Sequence, residues 1–336
     1  MKIKYFIFLI VISLLVIISK NRKEINDMSF NRQKSVNNII LSNNIDSIHT
    51  IPEHNFIFQA DSLLFYYFKD KEKTPLYQWN IFDLKRNCIT SKGNMNTPSS
   101  LITDYANNYI FYTLDGSIII ENLSNQEIKN ISHFSGEPYS IFSISHDKLL
   151  VLGTFKRDNI YKTGFYEIST TDNNVKLIRH IENIKDSSFI QKNSLIYSGN
   201  FVKSKNYILY FCDKQSDVYI FNPEGNFIAD FKTKDNVPKP IIQTFNDTYL
   251  YKRKHTFRSN IGMYERNNVI YVLSYRCSED NIVLDKYDIK GAYIGSVFLY
   301  DIKLPNKNVN NLFGIGKNII LNTENSFIVL ELNDFP

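Results

Sequence analysis

Two kinds of apolar run alternate along the chain. The first is dense and follows a polar residue: "DSLLFYYF" (61–68), "NYIFYTL" (108–114), "DKLLVLGTF" (147–155), "NYILYFC" (206–212), "NVIYVLSY" (268–275) and "KNIILNT" (317–323). Continuous apolar runs of this length between turn signals fit strands buried on both faces. The second places an apolar or aromatic residue, then Asp, Asn or Glu, then an apolar residue or Pro, then a turn: "IFDLKRN" (81–87), "IENLSNQ" (120–126), "FYEISTTDN" (165–173), "IFNPEGN" (220–226), "KYDIKGA" (286–292) and "VLELND" (329–334). The polar position falls at Asp83, Asn122, Glu167, Asn222, Asp288 and Glu331, in steps of 39 to 66 residues. Side chains of this type bond the backbone a few residues on, so the series predicts repeated turn chemistry. Between the two elements lie hairpin signals, clearest in "TLDGSIII", where Asp115-Gly116 suits a two-residue type I′ turn.

Each unit therefore reads as a buried strand, a half-buried strand and an outer strand such as "FIADF" (227–231) or "YIGSVFL" (293–299), with a weaker strand such as "YSIFSIS" (139–145) in front. A spacing near 50 residues is that of one propeller blade. Four strands per unit and six units predict an all-β fold, a six-bladed β-propeller of four-stranded antiparallel blades. Six unrelated hairpins in a sandwich are the competing arrangement. The last copy runs to Pro336 and brings no outer strand of its own. An open sheet edge is a liability. The donor expected to close the ring is a strand within residues 38–50, in "VNNIILSNNIDSIHTI" (36–51).

Composition supports strands. Of 336 residues 43% are hydrophobic, with 22 Tyr and 25 Phe, too apolar for a disordered chain. The net charge of +5 hints at a polyanion, but residues 1–35 account for all of it: Lys2, Lys4, Lys20, Arg22, Lys23, Arg32 and Lys34 stand against Glu24 and Asp27. The remaining body is neutral and carries no overall footprint for nucleic acid. Cys88, Cys212 and Cys277 are far apart and lack metal-binding spacing. They read as free thiols, with one disulfide as the alternative.

The N-terminus, "MKIKYFIFLIVISLLVIISKNRK", joins two lysines to an apolar run from Tyr5 to Ile18. That is the pattern of a signal peptide or short signal-anchor, an apolar helix over residues 1–19. The run is short for a standard transmembrane helix, which needs ~20 residues. Residues 20–36 read as a polar tether, and 37–336 as the propeller. The body is expected outside the cytoplasm, in the periplasm or cell envelope.

The stretches "LLVLGTFKRDNIYKTGFYEIS" (149–169), "YILYFCDKQSDVYIFNPEGNFIADF" (207–231), "VIYVLSYRCSEDNIVLDKYDIKGAYIG" (269–295) and "GKNIILNTENSFIVLEL" (316–332) resemble the TolB-like six-bladed β-propeller proteins that Gram-negative bacteria export. The likeness runs over roughly residues 40–336. It implies the fold and brings no catalytic motif with it. Many such proteins are lipoproteins, whereas this chain has no lipobox cysteine.

Candidate chemistry is sparse. The histidines (His49, His54, His133, His146, His180, His255) show no ligand spacing, and "GIGKN" (314–318) lacks the Ser/Thr and the helix of a phosphate loop. Some six-bladed propellers are lactonases or related hydrolases holding calcium in the axial channel; Asn and Asp abound here, so calcium is the one cofactor considered, against none. The best partner surface is "YLYKRKHTFRSN" (249–260), with Lys252, Arg253, Lys254 and Arg258 among Tyr251 and Phe257. It lies in the longest step of the repeat, and loops on a rigid scaffold are where binding sits. A solvated edge strand guarded by cations is the plainer reading. The expectation is a monomeric binding module for a protein, peptide or glycan of the envelope, meeting the membrane through the N-terminal segment only and not binding nucleic acid. An enzyme with a metal in the channel is the alternative.

Overall fold

The computed structural model describes strands 39–45, 54–60, 63–68, 76–80, 86–89 and 100–104 as backbone, and backbone with side chains over most of 109–274, 283–298 and 309–332. The N-terminal apolar helix, the tether, Cys277 and the side chain of Cys88 lie outside the described residues. Among those described, no helix is long and apolar enough to cross a membrane.

The chain is all-β and folds as successive four-stranded antiparallel sheets. The first contains β2 (His54–Ala60), β3 (Leu63–Phe68), β4 (Leu76–Asn80) and β5 (Arg86–Ile89). The second contains β6 (Ser100–Asp104), β7 (Tyr109–Leu114), β8 (Ser117–Asn122) and β9 (Ile128–Ile131). The third runs β10 (Gly136–Ser145), β11 (Lys148–Arg157), β12 (Ile160–Ser169), β13 (Val175–Ile184), and the fourth β14 (Gly199–Lys203), β15 (Ile208–Cys212), β16 (Asp217–Phe221), β17 (Phe227–Lys232). The fifth is β20 (Asn260–Arg266), β21 (Val269–Ser274), β22 (Val283–Asp288) and β23 (Tyr293–Phe298). In the sixth, β24 (Val309–Ile315), β25 (Asn318–Thr323) and β26 (Phe327–Leu332) are joined by β1 (Ile39–Ile45), which pairs antiparallel with β26 from Ile39 opposite Leu332 to Ile45 opposite Phe327.

Burial follows a radial logic. The second strands are the most deeply buried: Ile208–Cys212 is buried at every residue, and Leu149–Phe155 of β11 likewise. The third strands, expected half-buried, are nearly as deep: β8 and β16 each bury four consecutive residues. Alternation belongs to the fourth strand, where β17 switches between half-buried and exposed at every residue. A sheet packed on both faces needs apolar residues on both in its middle strands, and its outermost strand is free to turn one face to water.

The sheets pack on each other through their first and second strands. β10 adjoins β6, β7 and β14; β15 adjoins β20; β20 adjoins β24; and β2 adjoins both β6 and β14. Phe165 of the third sheet meets Phe201, Tyr210, Tyr219 and Phe221 of the fourth at ring centroids 4.8–6.1 Å apart. Tilted and edge-on aromatic pairs of this kind add stabilisation beyond area burial. In the third, fourth and fifth sheets the outer strand carries a β-bulge soon after its turn, leaving Ile178, Ile228 and Ile294 without a cross-strand partner. Such bulges increase the local twist of the strand that carries them.

The turn series is confirmed in part. The Asn122 side chain accepts from the Ser124 amide at 2.8 Å, Asn222 from Asn226 at 2.7 Å, and Asp288 from Lys290 and Ala292 at 2.8 Å each. Glu167 and Glu331 depart from the pattern and pair across the sheet with Lys148 and Lys317 at 2.7 and 2.5 Å. Asp83 lies outside the described residues. At the Asp115-Gly116 turn, Leu114 faces Ser117 across two residues and Gly116 has φ +74°.

Close approach of β20 and β24 depends on two glycines. A Cβ on Gly262 would stand 2.7 Å from the Leu312 amide nitrogen, and one on Gly314 1.8 Å from Tyr264 Cδ2. Overpacking of this kind costs typically ~1–3 kcal/mol. Gly314→Ala is therefore expected to lower the unfolding free energy by that amount, moving the urea midpoint down with an unchanged m-value; an unshifted midpoint would show that the fifth and sixth sheets separate without cost.

Candidate functional site

In a four-stranded meander the turn between the second and third strands shares an end with the connection from the fourth strand to the next sheet. At that end the connections are long in two places among the described residues. Residues 185–198 form a 3₁₀ turn, Ser187–Phe189, and a short helix α1, Ile190–Ile196. Residues 233–259 contain a hairpin of β18 (Ile242–Phe245) and β19 (Thr248–Tyr251), which forms its own two-stranded sheet. The helix was not expected from the strand-dominated pattern. Asp186 caps the 3₁₀ turn that leads into it, accepting from the Ser188 amide at 2.9 Å, while the helix itself has no side-chain N-cap and buries Ile190, Asn193 and Ile196.

Helix and hairpin pack together. The Tyr249 hydroxyl donates to the Ser188 carbonyl at 2.9 Å, and the Tyr251 hydroxyl to the Leu195 carbonyl at 2.8 Å. A polar chain fastens the helix to the third sheet strand by strand. The Tyr139 hydroxyl lies 2.6 Å from Thr154 Oγ1 and donates to the Ile190 carbonyl at 2.9 Å; Thr154 Oγ1 lies 2.6 Å from Thr163 Oγ1. Asn193 donates from Nδ2 to Thr163 at 2.8 Å and to Glu182 at 3.0 Å. Lys239 ties Glu182 (2.8 Å) to the Tyr197 hydroxyl (2.5 Å). Burial, with Glu182 nearby, pushes the Tyr197 hydroxyl far above its ordinary range, so it stays protonated.

The turn 213–216 of the fourth sheet is the hub. The Asp213 amide donates to the Ser198 carbonyl (2.9 Å), the Ser259 amide to the Asp213 carbonyl (2.7 Å), and the Ser216 and Val237 backbones bond each other's segments. Gln215 Nε2 reaches the Ile196 carbonyl at 3.2 Å, and Asn260 Nδ2 the Cys212 and Gln215 carbonyls at 3.1 and 3.3 Å. Helix end, linker and fifth sheet thus all close on four residues. Cys212, beside the hub, is a free thiol whose pKa burial raises well above the ordinary value, which makes it inert rather than nucleophilic.

Of the residues singled out by sequence, the structure brings together Tyr251 and Lys252–Lys254 on the hairpin and Phe257 and Arg258 on the chain returning to β20. Tyr251 is half-buried, its hydroxyl spent on the helix, with Lys214 5.8 Å over its ring. Lys252, Arg253 and Lys254 are exposed in a turn where Lys254 has φ +67°. Phe257 and Arg258 are half-buried. Arg258 lies close enough to Asp213 and Lys214 to act on both electrostatically. The basic stretch is therefore two things: an exposed cationic turn and an inward arginine at the hub. Asp213 and the helix contribute to the site without a sequence motif to announce them. His146, His180 and His255 are exposed, and among the described residues no group of three or more His, Cys, Asp or Glu could hold a metal.

No protein-family model matches the chain, and no curated protein does. Among solved structures, the calcium-binding protein regucalcin from Agrobacterium tumefaciens is similar with a TM-score of 0.46 at 9% identity, over 88% of this chain and 96% of that one. A protein of unknown function from Bacteroides thetaiotaomicron gives 0.48 at 12%, over 87% and 75%. TolB from Acinetobacter baumannii gives 0.38 at 12%, over 70% and 51%. The neighbours are β-propeller proteins. None is close enough to bring a function with it.

Burial is the largest influence on Asp213 and raises its carboxyl to about 6, with Lys214 and Arg258 opposing. The native state holds this proton more tightly than the unfolded chain. The associated stability is complete below about pH 4 and is lost as pH rises through about 6. Asp213→Asn removes the cost of ionisation, on the order of 1–3 kcal/mol. The variant is expected to melt higher than wild type at pH 8 and level with it at pH 4; parallel pH–melting curves would contradict this.

Proposed function

We propose that the chain is an exported six-bladed β-propeller, its ring closed by β1, which acts as a binding module of the cell envelope through the end that carries helix α1 and the β18–β19 hairpin. The propeller reading is supported by six four-stranded sheets that meet through their first and second strands, while β1 completes the last one from the other end of the chain. Export is supported by the lysines and apolar run at residues 2–18.

The observation that carries the binding role is the fastening of the cap. The helix is tied to the third sheet through Asn193 and to the fourth through Gln215, and the 233–259 connection to the fifth through Lys234 and Asp235, yet the hairpin turns a cationic and apolar face to solvent. A rigid scaffold under an exposed, unusual surface is what recognition requires. The axis offers less. First strands β2 and β14, on opposite sides of a six-membered ring, come within 8 Å Cα to Cα, which narrows the space a channel enzyme would use.

The test is metal analysis of the purified chain combined with a hydrolysis screen on lactones and glycans. The expected outcome is no stoichiometric calcium and no turnover. Bound calcium at one per chain together with turnover would replace the binding module by a channel hydrolase.

A further inference from the structure

Eight large apolar side chains are exposed among the described residues, and four of them gather on the cap: Phe189 (37%), Ile241 (47%), Phe245 (62%) and Leu250 (43%). The register explains why. Gln243 faces Leu250 and Phe245 faces Thr248, and the ladder continues through the Lys252 amide donating to the Ile241 carbonyl at 2.8 Å. Side chains alternate along each strand. One face therefore carries Ile242, Thr244, Tyr249 and Tyr251; Ile242, Tyr249 and Tyr251 are half-buried, and both tyrosines bond the helix segment. The other carries Ile241, Gln243, Phe245, Thr248, Leu250 and Lys252, and it is exposed throughout. At its base the chain turns through Lys252, Arg253 and Lys254, all exposed.

We propose that this outer face docks on an anionic lipid surface, with Ile241, Phe245 and Leu250 entering the interface and Lys252, Arg253 and Lys254 meeting the headgroups. An apolar face edged by lysine and arginine is the chemistry of shallow interfacial binding. The body beyond residue 35 is neutral, so the cations are a local feature of this end and not a share of a general positive field. Kept as a signal-anchor, the N-terminal segment would be a second, separate attachment. Its apolar run of residues 5–18 is short for a standard span, and the polar stretch 20–36 that follows can reach at most ~60 Å, enough to let one end of the body rest on the bilayer. Stable anchoring commonly takes two weak signals, and the hairpin face is the second. The proposal rests on the exported reading. Protease accessibility of the body in intact spheroplasts tests export, and alkaline carbonate extraction tests retention of the N-terminal segment as an anchor; neither outcome depends on the hairpin.

The experiment uses the full chain carrying the photoreactive residue p-benzoylphenylalanine at Phe245 or, as control, at Ile294. Ile294 is comparably exposed, at 46%, but sits near the start of β23 at the opposite end of its sheet. Each chain is reconstituted in vesicles of phosphatidylcholine with or without phosphatidylglycerol and irradiated. Lipid adducts are expected at position 245, several-fold above position 294. They should fall about five-fold or more when phosphatidylglycerol is left out or when Lys252, Arg253 and Lys254 are changed to Glu. Because charge reversal could disturb the cap, Lys252→Gln/Arg253→Gln/Lys254→Gln serves as a second variant, with the thermal melt confirming that each is folded. Equal adduct yields at 245 and 294, or yields indifferent to phosphatidylglycerol and to both variants, would overturn the proposal. Protein–protein crosslinks at 245 in place of lipid adducts would also overturn it, in favour of a second copy.

Discussion

Everything in this molecule follows from burying both faces of each sheet. A four-stranded sheet whose middle strands are apolar on both sides cannot stand alone in water, and it cannot pair with only one other. Each sheet from the second to the fifth therefore packs on neighbours at both faces. Ile208–Cys212 and Asp217–Phe221 of the fourth sheet show it best, with Phe165 on one side and Met263, Ile270 and Val272 on the other. Stacking is closest at the first strands, and glycines at 262 and 314 let two of those strands approach nearer than any side chain would allow. The fourth strand, at the outer edge, can turn a face to solvent, and β17 alternates accordingly.

The same stacking makes the cap possible. Once the third, fourth and fifth sheets are fixed relative to each other, the turn 213–216 stands at a point where helix α1, the linker and β20 all come within hydrogen-bond reach. Its buried amides and hydroxyls are spent there on backbone groups that no strand ladder could satisfy. That anchorage leaves the outer face of the hairpin exposed. A carboxylate held at this crowded place, Asp213, loses hydration and keeps its proton to a higher pH than an ordinary aspartate.

Much of the fold was legible in the sequence because strands, turns and bulges are local. The dense runs locate second strands, and Asn122, Asn222 and Asp288 cap turns through bonds spanning only two to four residues. Glu167 and Glu331 belonged to the same series by position and differ for a physical reason. A longer side chain on a strand reaches a lysine on the neighbouring strand, a choice settled by register and not by local sequence. Helix α1 escaped notice because its seven residues hold too few apolar positions to show a period; tertiary contacts at Ile190 and Asn193 stabilise it.

The site divides along the same line. Sequence by itself determined that residues 249–260 are unusually basic and aromatic and that they fall in an elongated connection. It could not determine which of them face inward. Tyr251 and Arg258 turn toward the helix and Asp213, while Lys252, Arg253 and Lys254 face water, and Phe245 and Leu250 join them although no charge pattern marked either. Strand alternation assigns residues to two faces, but only the packing of α1 against one face decided which side is covered. Composition and spacing therefore determined the strands and their repeat. The tertiary structure decided the surface, because exposure depends on what else in the chain arrives to cover it.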